Sequence, residues 1–270
     1  MSAGPGNNCH RVALYKAWCE AQKERAGRKR YWTLAEKPGR RELIRAVLAE
    51  TMRSHYDRLE RIADDVARLG YEGAANILRA TLPRTPRARS GDLGEILATE
   101  LVEEEIGLRV PVRRLRYKDG REMALRGDDF IGAGYSDGQK LRLLKGEAKS
   151  NKILGKPTIT SARKVLCRDD GRCTPDSLNF VASRLLDSPN EEDVELGRTI
   201  RDEVGCSSLS PASIDHMLFT VSGNPPPTAL KEDLTSASMN RNHYVVNLRI
   251  EDHQDFITEM FEEAQKLGDR

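Results

Sequence analysis

The hydrophobic period of this chain changes after Gly107, and that change constrains the fold more than any other feature. Before it, apolar residues recur every three or four positions, the spacing of an amphipathic helix. The clearest stripe consists of Leu59, Ile62, Val66 and Leu69. After Gly107, apolar and polar residues alternate, which predicts successive strands at residues 110–117, 123–135 and 140–149. The connections 118–122 and 136–140 both contain Asp-Gly, a strong hairpin signal, so we expect the three strands to be antiparallel.

The rest of the chain predicts helices and two further strands. Polar helical segments fill residues 158–203, apolar strands follow at 216–223 and 243–250, and an amphipathic helix covers 252–267. The proline-rich segment 222–230 is typical of an exposed loop. This order of elements predicts an α/β fold, a sheet with helices on its faces.

Prolines indicate how the chain is divided. Residues 82–90 contain Pro83 and Pro86 and predict a linker. The residues before it, 1–81, are predicted to form a helical N-terminal domain, and residues 91–270 a second domain. Ser90 is a suitable N-cap for a helix that ends at Gly107.

Composition excludes several classes of protein. A hydrophobic content of 38% and a charged content of 32% fit a globular chain rather than a disordered one. There is neither a membrane-length apolar run nor an apolar signal-peptide core near the N-terminus, so we expect a cytoplasmic protein without membrane contact. Five cysteines, at positions 9, 19, 167, 173 and 206, form no C-x-x-C pair, so reduced thiols are expected rather than structural zinc.

Charge is distributed unevenly along the sequence. Residues 1–90 carry 19 Lys and Arg against 10 Asp and Glu, whereas residues 191–270 carry 7 against 16. A basic region fits nucleic-acid contact and an acidic one fits a protein partner, but two solvated surfaces of opposite sign explain the same numbers. The arginine-rich segments 24–32 and 83–90 favour phosphate contact, although such segments are also ordinary linkers.

The strand predicted at 140–149 ends in Glu147-Ala148-Lys149. Alternate residues of a strand share a face, so Glu147 and Lys149 are expected to project together. Of the 13 lysines, Lys149 alone has an acid two positions before it. In the preceding strand we choose Asp129 as the acid that faces the site and interpret Asp128 as a solvated or turn-capping acid. Glu95 precedes these strands in what we predict is the first turn of a helix, where the helix dipole favours an acid without any function.

Carboxylates gathered beside a lysine predict a divalent metal site. Two carboxylates repel each other unless a cation joins them. Mg²⁺, with Mn²⁺ as a substitute, prefers a few hard oxygen ligands and keeps several waters. Such a metal polarises a phosphodiester and lowers the pKa of bound water, while Lys149 orients that water or balances charge in the transition state.

These elements resemble the PD-(D/E)xK nuclease superfamily, whose restriction-endonuclease-like fold is a mixed sheet flanked by helices. More narrowly, "GDLGEILATELV", "RGDDFIG" and "LKGEAK" resemble elements of the HamA family of Hachiman anti-phage defence systems. The resemblance implies that Glu95, Asp129, Glu147 and Lys149 are catalytic, that Asp129 and Glu147 bind Mg²⁺ with the Ala148 carbonyl as a further ligand, and that a superfamily-2 helicase (HamB) is a partner. Gly127-Asp128-Asp129 replaces the superfamily's proline-aspartate signature, which leaves the choice of aspartate open.

Basic residues around the E-x-K strand predict a track for the phosphate backbone. They are Lys145, Lys152, Lys156, Arg163 and Lys164. Each is also explained as a plain surface charge. The sequence therefore predicts a Mg²⁺-dependent DNA nuclease that works in a defence complex. The alternative is a non-catalytic DNA- or helicase-binding subunit that keeps the nuclease fold. Because the chain has no G-x-x-x-x-G-K-[ST] loop, ATPase work would come from a partner.

Overall fold

A single mixed sheet organises the computed structural model, which describes residues 13–136 and 140–267. Its strands, within those residues, are β1 (Cys19–Ala26), β2 (Lys29–Glu36), β3 (Phe130–Ser136), β4 (Lys140–Asn151), β5 (Ile214–Ser222) and β6 (His243–Arg249). They lie in the order β1-β2-β6-β5-β4-β3. The four inner strands are parallel, and β1 and β3 pair antiparallel at the two edges. The predicted α/β architecture, a mixed sheet flanked by helices, is confirmed.

Helices cover both faces of this sheet. In the described residues they are α1 (Leu14–Trp18), α2 (Arg41–Tyr56), α3 (Leu59–Thr81), α4 (Pro86–Leu101), α5 (Lys156–Leu166), α6 (Pro175–Leu186), α7 (Glu191–Cys206), α8 (Thr228–Ser236) and α9 (His253–Ala264). None of them combines the length and apolar character that crossing a membrane requires.

The core lies in layers on either side of the sheet. Helices α1, α2, α4 and α9 pack on one face, where Trp18 stacks on Phe256 with ring centroids 5.5 Å apart. Helices α6 and α7 cover β3 and β4 on the other face, and α5 and α8 cover β5 and β6 there. All nine residues of β5 are buried, because a central parallel strand is covered on both faces.

The prediction that residues 1–81 are helical is wrong for residues 19–36. These residues form the hairpin β1–β2, and β2 pairs in parallel with β6 in the same sheet as the catalytic candidates. Strand β1 was not predicted because it shows no hydrophobic alternation. Every residue after Cys19 is exposed, so the strand has no buried face. Helices α2 and α3 are present as predicted. The division into domains at residues 82–90 stays a prediction.

The predicted linker is shorter than the sequence suggested. Helix α4 begins at Pro86, and the Thr85 side chain, rather than Ser90, accepts a hydrogen bond from the backbone N–H of Ala88 as the N-cap. Ser90 lies inside the helix and donates to the Ser150 carbonyl instead. The helical stretch does end at Gly107, which adopts the left-handed conformation with φ of 73°.

Residues 110–117 do not form the predicted strand, and the strand predicted at 123–135 begins only at Phe130, as β3. Only an isolated bridge between Arg109 and Ala133 extends the sheet there, and a short 3₁₀ turn covers Arg114–Tyr117. Pro111 has no N–H to give to a ladder, and the Arg114 guanidinium donates to the carbonyls of Asp128 and Arg126, holding the segment 114–128 as a loop.

The later elements follow the predictions closely. Strand β4 contains the predicted 140–149, β5 and β6 match 216–223 and 243–250, and α9 matches the last helix. Helix α8 was missed, because residues after the prolines of 222–230 were interpreted as loop. The turn at Asp137-Gly138 and the residues Cys9 and His10 lie outside the described residues, and the four described cysteines are free thiols.

Candidate active site

The candidate site lies in a notch at the edge of the sheet, where β4 continues beyond the first residue of β3. Pairing between the two strands ends at Phe130 and Gly146, so residues 147–151 of β4 have no partner on β3. Gly146 is required here because a Cβ would lie 2.1 Å from the Phe130 ring. Asp129 directly precedes β3, and its Oδ2 accepts a 2.8 Å hydrogen bond from the Ala148 N–H. This bond turns the aspartate across the notch.

Glu147 and Lys149 lie together, as strand alternation predicts. Lys149 Nζ is 2.5 Å from Glu147 Oε1, and the side chains are 30% and 4% exposed respectively. Burial, together with the Asp129 carboxylate, raises the pKa of Glu147 from 4.5 to about 7, although Lys149 opposes the change. Burial lowers the pKa of Lys149, but the carboxylates of Asp129 and Glu147 outweigh it and raise that pKa above its ordinary value. The lysine is therefore held as an ammonium.

Glu95 reaches the same site from helix α4. Because α4 begins at Pro86, Glu95 lies in its third turn, so the explanation of Glu95 as a first-turn acid is wrong. Burial and then the Asp129 carboxylate raise the pKa of Glu95 well above its ordinary value. Two acids predicted from different elements thus interact through space.

A cavity of about 530 Å³ opens over these groups. It is lined by residues from α4, the 115–125 loop and the notch, among them Arg87, Asp92, Glu95, Lys118, Glu122, Asp129 and Lys149. Glu147 is not part of the lining, although its ion-pair partner Lys149 is. The cavity therefore exposes the lysine, Asp129 and Glu95 to a ligand, with Glu147 buried against Lys149.

Three further residues of the site escaped the sequence analysis. Lys118 Nζ lies 2.9 Å from Asp92 Oδ2, and the Tyr56 hydroxyl donates to the same carboxylate at 2.7 Å. Asp92 and Glu95 are three residues apart on α4, so that spacing was a usable signal for a shared helix face. Lys118 carried no such signal, because the fold alone brings the 118–122 turn over α4.

Asp128 faces away from the notch, so of the two neighbouring aspartates only Asp129 is positioned to face it. It is 1% exposed, its Oδ2 accepts a 2.8 Å hydrogen bond from the Thr174 N–H, and its Oδ1 lies 3.5 Å from Lys145 Nζ. A solvated Asp128 is therefore a wrong expectation. Asp129 is the aspartate that lies beside Glu147 and Lys149.

The carboxylates at the notch fit a hard divalent cation held by few protein ligands. Among the described residues no cluster of three or more His, Cys, Asp or Glu is arranged to enclose a metal. Asp129 and Glu147 are nevertheless buried close enough for the charge of Asp129 to raise the pKa of Glu147. That repulsion is what a cation relieves, and Mg²⁺ accepts two carboxylates while waters fill its other positions.

The residues predicted to form a phosphate track do not act as one surface. Lys145 is 1% exposed and donates to the Arg168 and Arg172 carbonyls at 3.1 and 2.7 Å, so its predicted surface position is wrong. It lies on β4 with its ammonium directed to the turn that contains Arg168 and Arg172 and to Asp128. Arg163 pairs with Asp233 at 2.6 Å and is only 15% exposed.

The other three predicted cations do lie on the surface. Lys156 pairs with the exposed Glu232 at 3.1 Å. Lys152 and Lys164 are also exposed. Lys152 directly follows β4, so it is the candidate nearest to the notch along the chain.

Two comparisons relate the sequence to known proteins. The family model described as HamA matches residues 13–264 of the chain. The Hachiman protein HamA of Bacillus cereus is 25% identical over 183 residues, which cover 68% of this chain and 63% of that protein. The chain therefore spans less than two thirds of the length of this curated relative.

Proposed function

This chain belongs to the HamA family, and from that premise we propose that it is a Mg²⁺-dependent DNA nuclease of the PD-(D/E)xK type. The observation that carries the proposal is the contact between Glu147 and Lys149 beside Asp129, at a cavity that Glu95 also lines. Two residues of β4 and the aspartate that precedes β3 thus meet in one notch. We further propose that it works in a Hachiman anti-phage defence complex, as the name of its Bacillus cereus relative suggests.

Each residue of the notch has a distinct part in phosphodiester hydrolysis. Asp129 and Glu147 would hold the cation, with the Ala148 carbonyl as a further ligand. When bound, the cation polarises the phosphodiester and lowers the pKa of a coordinated water. Lys149 stays protonated, because neighbouring carboxylates raise its pKa, so its ammonium stabilises negative charge that develops on the phosphate.

Glu95 serves the same reaction from the opposite wall of the cavity. Burial and the Asp129 carboxylate raise the pKa of Glu95 well above its ordinary value. This favours the protonated carboxyl, which can donate a hydrogen bond to a phosphate oxygen or to the leaving oxygen. A protonated carboxylic acid is a better donor here than a carboxylate, which would repel the phosphate.

Plasmid cleavage tests the nuclease proposal. The purified chain should degrade plasmid DNA in Mg²⁺ but not in EDTA, and Glu147→Ala and Lys149→Ala should each reduce the rate by at least about a hundredfold. Glu195→Ala and Arg198→Ala are matched controls, because this exposed ion pair, 3.4 Å apart on α7, lies outside the notch. Cleavage that survives either notch variant would remove the mechanism.

A helicase partner is the second part of the proposal. We propose that a superfamily-2 helicase covers the site and that its movement on DNA releases the nuclease, since an unrestrained nuclease would attack the host chromosome. Helix α3 offers a docking surface, because Leu69, Tyr71 and Ile77 are 48%, 40% and 39% exposed. Gly70, with φ of 72° and ψ of 173°, breaks α3 between Leu69 and Tyr71, so the three exposed side chains lie on both sides of a kink. Exposed apolar side chains of this kind are typical of a protein-binding surface.

Point variants test docking better than a truncation. Removing residues 1–81 would delete β1 and β2 from the sheet, so loss of binding would only report misfolding. Leu69→Glu and Ile77→Glu should abolish co-purification with a co-expressed HamB-like helicase, while Leu43→Glu, at a residue 63% exposed on α2, serves as control. Co-purification that persists would exclude α3; the acidic helix α9 is then the next candidate.

One observation favours a second candidate function, a non-catalytic DNA- or helicase-binding subunit. Glu147 is buried, does not line the cavity and already has a cationic partner in Lys149, so this carboxylate is paired without a metal. Calorimetry separates the two functions. A catalytic site should bind Mg²⁺ or Mn²⁺ with measurable heat that Asp129→Asn removes, whereas a pure binding subunit should give no heat and no cleavage.

A further inference from the structure

The turn of the β1–β2 hairpin concentrates positive charge far from the notch. Arg25, Arg28, Lys29 and Arg30 surround the glycine turn at Gly27. Arg25 and Arg28 are exposed, and Lys29 and Arg30 are partly exposed. We call these four cations the hairpin patch.

Among the described residues, none of the four cations forms an ion pair with an acid. Within residues 13–136 and 140–267, no carboxylate oxygen lies within the 4.0 Å of an ion pair from any of them. Their hydrogen bonds go to neutral oxygens, such as Arg28 to the Asn240 carbonyl at 3.1 Å and Lys29 to the Thr235 carbonyl at 2.6 Å. The patch therefore keeps its full charge.

The neighbouring carboxylates are already occupied by other cations. Glu24 pairs with Lys231 at 2.8 Å, Asp233 pairs with Arg163 at 2.6 Å, and Asp215 pairs with Arg142. The fold thus neutralises the acids around the patch but not the patch itself.

The patch is also held in place. Arg30 donates to Asn242 Oδ1 at 3.3 Å and lies over the Tyr244 ring at 4.8 Å, so β6 fixes its guanidinium. Together with the bonds of Arg28 and Lys29, these contacts attach the turn to residues 235–244. A preorganised cluster of charges loses less entropy on binding than flexible side chains do.

We propose that the hairpin patch binds the phosphodiester backbone of nucleic acid at a second point, separate from the catalytic notch. This inference rests on the proposed nuclease function, because the patch would hold the same nucleic acid that the notch cleaves. Lys29 aligns with His243 of β6 and, through β5, with Lys145 of β4. Lys149 is therefore four residues further along and three strands across, about 13 Å and about 14 Å at ordinary sheet spacings.

This separation specifies how the substrate is held. About 20 Å between patch and notch corresponds to roughly six base pairs at 3.4 Å per step. Nucleic acid that contacts both must extend at least that far from the cleaved phosphate. Because the contacts reach phosphates and not base edges, we expect binding without sequence preference.

Salt-dependent binding tests the proposal without relying on cleavage. Fluorescence anisotropy of a labelled 30-base-pair duplex would be recorded in EDTA at several salt concentrations, with the full chain and Arg25→Gln/Arg28→Gln. The control is Arg198→Gln/Arg201→Gln on α7, which removes the same net charge from exposed positions. Loss of two phosphate contacts should reduce the slope of log K against log salt by about 2 and weaken binding on the order of tenfold per contact at 0.1 M salt.

The outcomes separate this inference from the nuclease proposal. A slope and an affinity equal to those of the native chain would overturn the patch as a nucleic-acid surface. If the slope and the affinity are unchanged but the double variant no longer co-purifies with the helicase, the patch binds an acidic protein. That outcome also overturns the proposal that it binds nucleic acid. A reduced slope supports the patch as a nucleic-acid surface even if the chain cuts no DNA in Mg²⁺. Absence of cleavage would refute the nuclease proposal alone. In the cutting assay the double variant should raise KM and leave kcat unchanged.

Discussion

Replacing Glu147 by glutamine should change the pH dependence of stability in the metal-free protein. Burial and the Asp129 carboxylate raise the pKa of Glu147 from 4.5 to about 7. Between these two pH values the folded protein holds a proton on Glu147 that the unfolded chain releases. The free energy of unfolding therefore falls as the pH rises from about 4.5 to about 7, and the loss is complete above that window.

The size of the effect follows from the two pKa values. At about 1.4 kcal/mol per tenfold change in proton affinity, a pKa raised from 4.5 to about 7 corresponds to about 3 kcal/mol. Glutamine has no proton to lose at this position. The free energy of unfolding of Glu147→Gln, relative to that of the native chain, should therefore rise by up to about 3 kcal/mol between pH 4.5 and pH 8. This rise is expected whatever the difference between the two proteins is at pH 4.5.

Urea unfolding in EDTA at half-unit pH steps measures this difference directly. Glu24→Gln is the control, because Glu24 is an exposed glutamate that also pairs with a lysine but lies outside the notch. A difference between Glu147→Gln and the native chain that stays constant from pH 4.5 to pH 8 would refute the reasoning.

Adding Mg²⁺ extends the same experiment to the proposed metal. At pH 8, free Mg²⁺ at a hundred times its Kd should raise the unfolding free energy of the native chain by about 2.7 kcal/mol. The increase should shrink at pH 5.5, because the ligand must lose its proton before it binds, and it should be absent in Glu147→Gln. Equal stabilisation of both proteins would show that the cation binds elsewhere.

Three other substitutions test how the notch is built. Gly146→Ala places a Cβ 2.1 Å from the Phe130 ring and should cost about 1–3 kcal/mol by urea unfolding; an unchanged midpoint would contradict the close packing. Lys118→Met leaves Asp92 without its ammonium partner in a pair whose side chains are 5% and 10% exposed, so a loss of about 3–5 kcal/mol is expected, largest above the ordinary aspartate pKa. Thr85→Ala should lower stability by about 1 kcal/mol through loss of the α4 N-cap, and a thermal melt that does not shift would place the helix start elsewhere.

Local pattern was enough to predict much of the sheet and part of the site. Alternation identified β4 and placed Glu147 and Lys149 on one side, where the structure shows them in contact. The apolar runs of β5 and β6 were equally clear, because central strands are buried on both faces. These are features in which sequence spacing alone determines the local geometry.

The remaining features depended on tertiary contacts that spacing does not encode. Strand β1 is exposed and polar, and it is a strand because β2 pairs with it. Lys145 resembles a surface lysine in sequence, yet carbonyls of a distant turn accept its hydrogen bonds. Lys118 enters the site only because the loop after α4 folds back over it. In each case the partner lies far away along the chain.

Anomalous diffraction from crystals soaked in Mn²⁺ tests the central proposal most directly, because Mn²⁺ substitutes for Mg²⁺ and can be located from its own scattering. We expect one strong peak at the notch, about 2.2 Å from carboxylate oxygens of both Asp129 and Glu147 as hard oxygen ligands require, with Lys149 displaced from Glu147. No peak at the notch, with the Glu147–Lys149 pair intact, would contradict it.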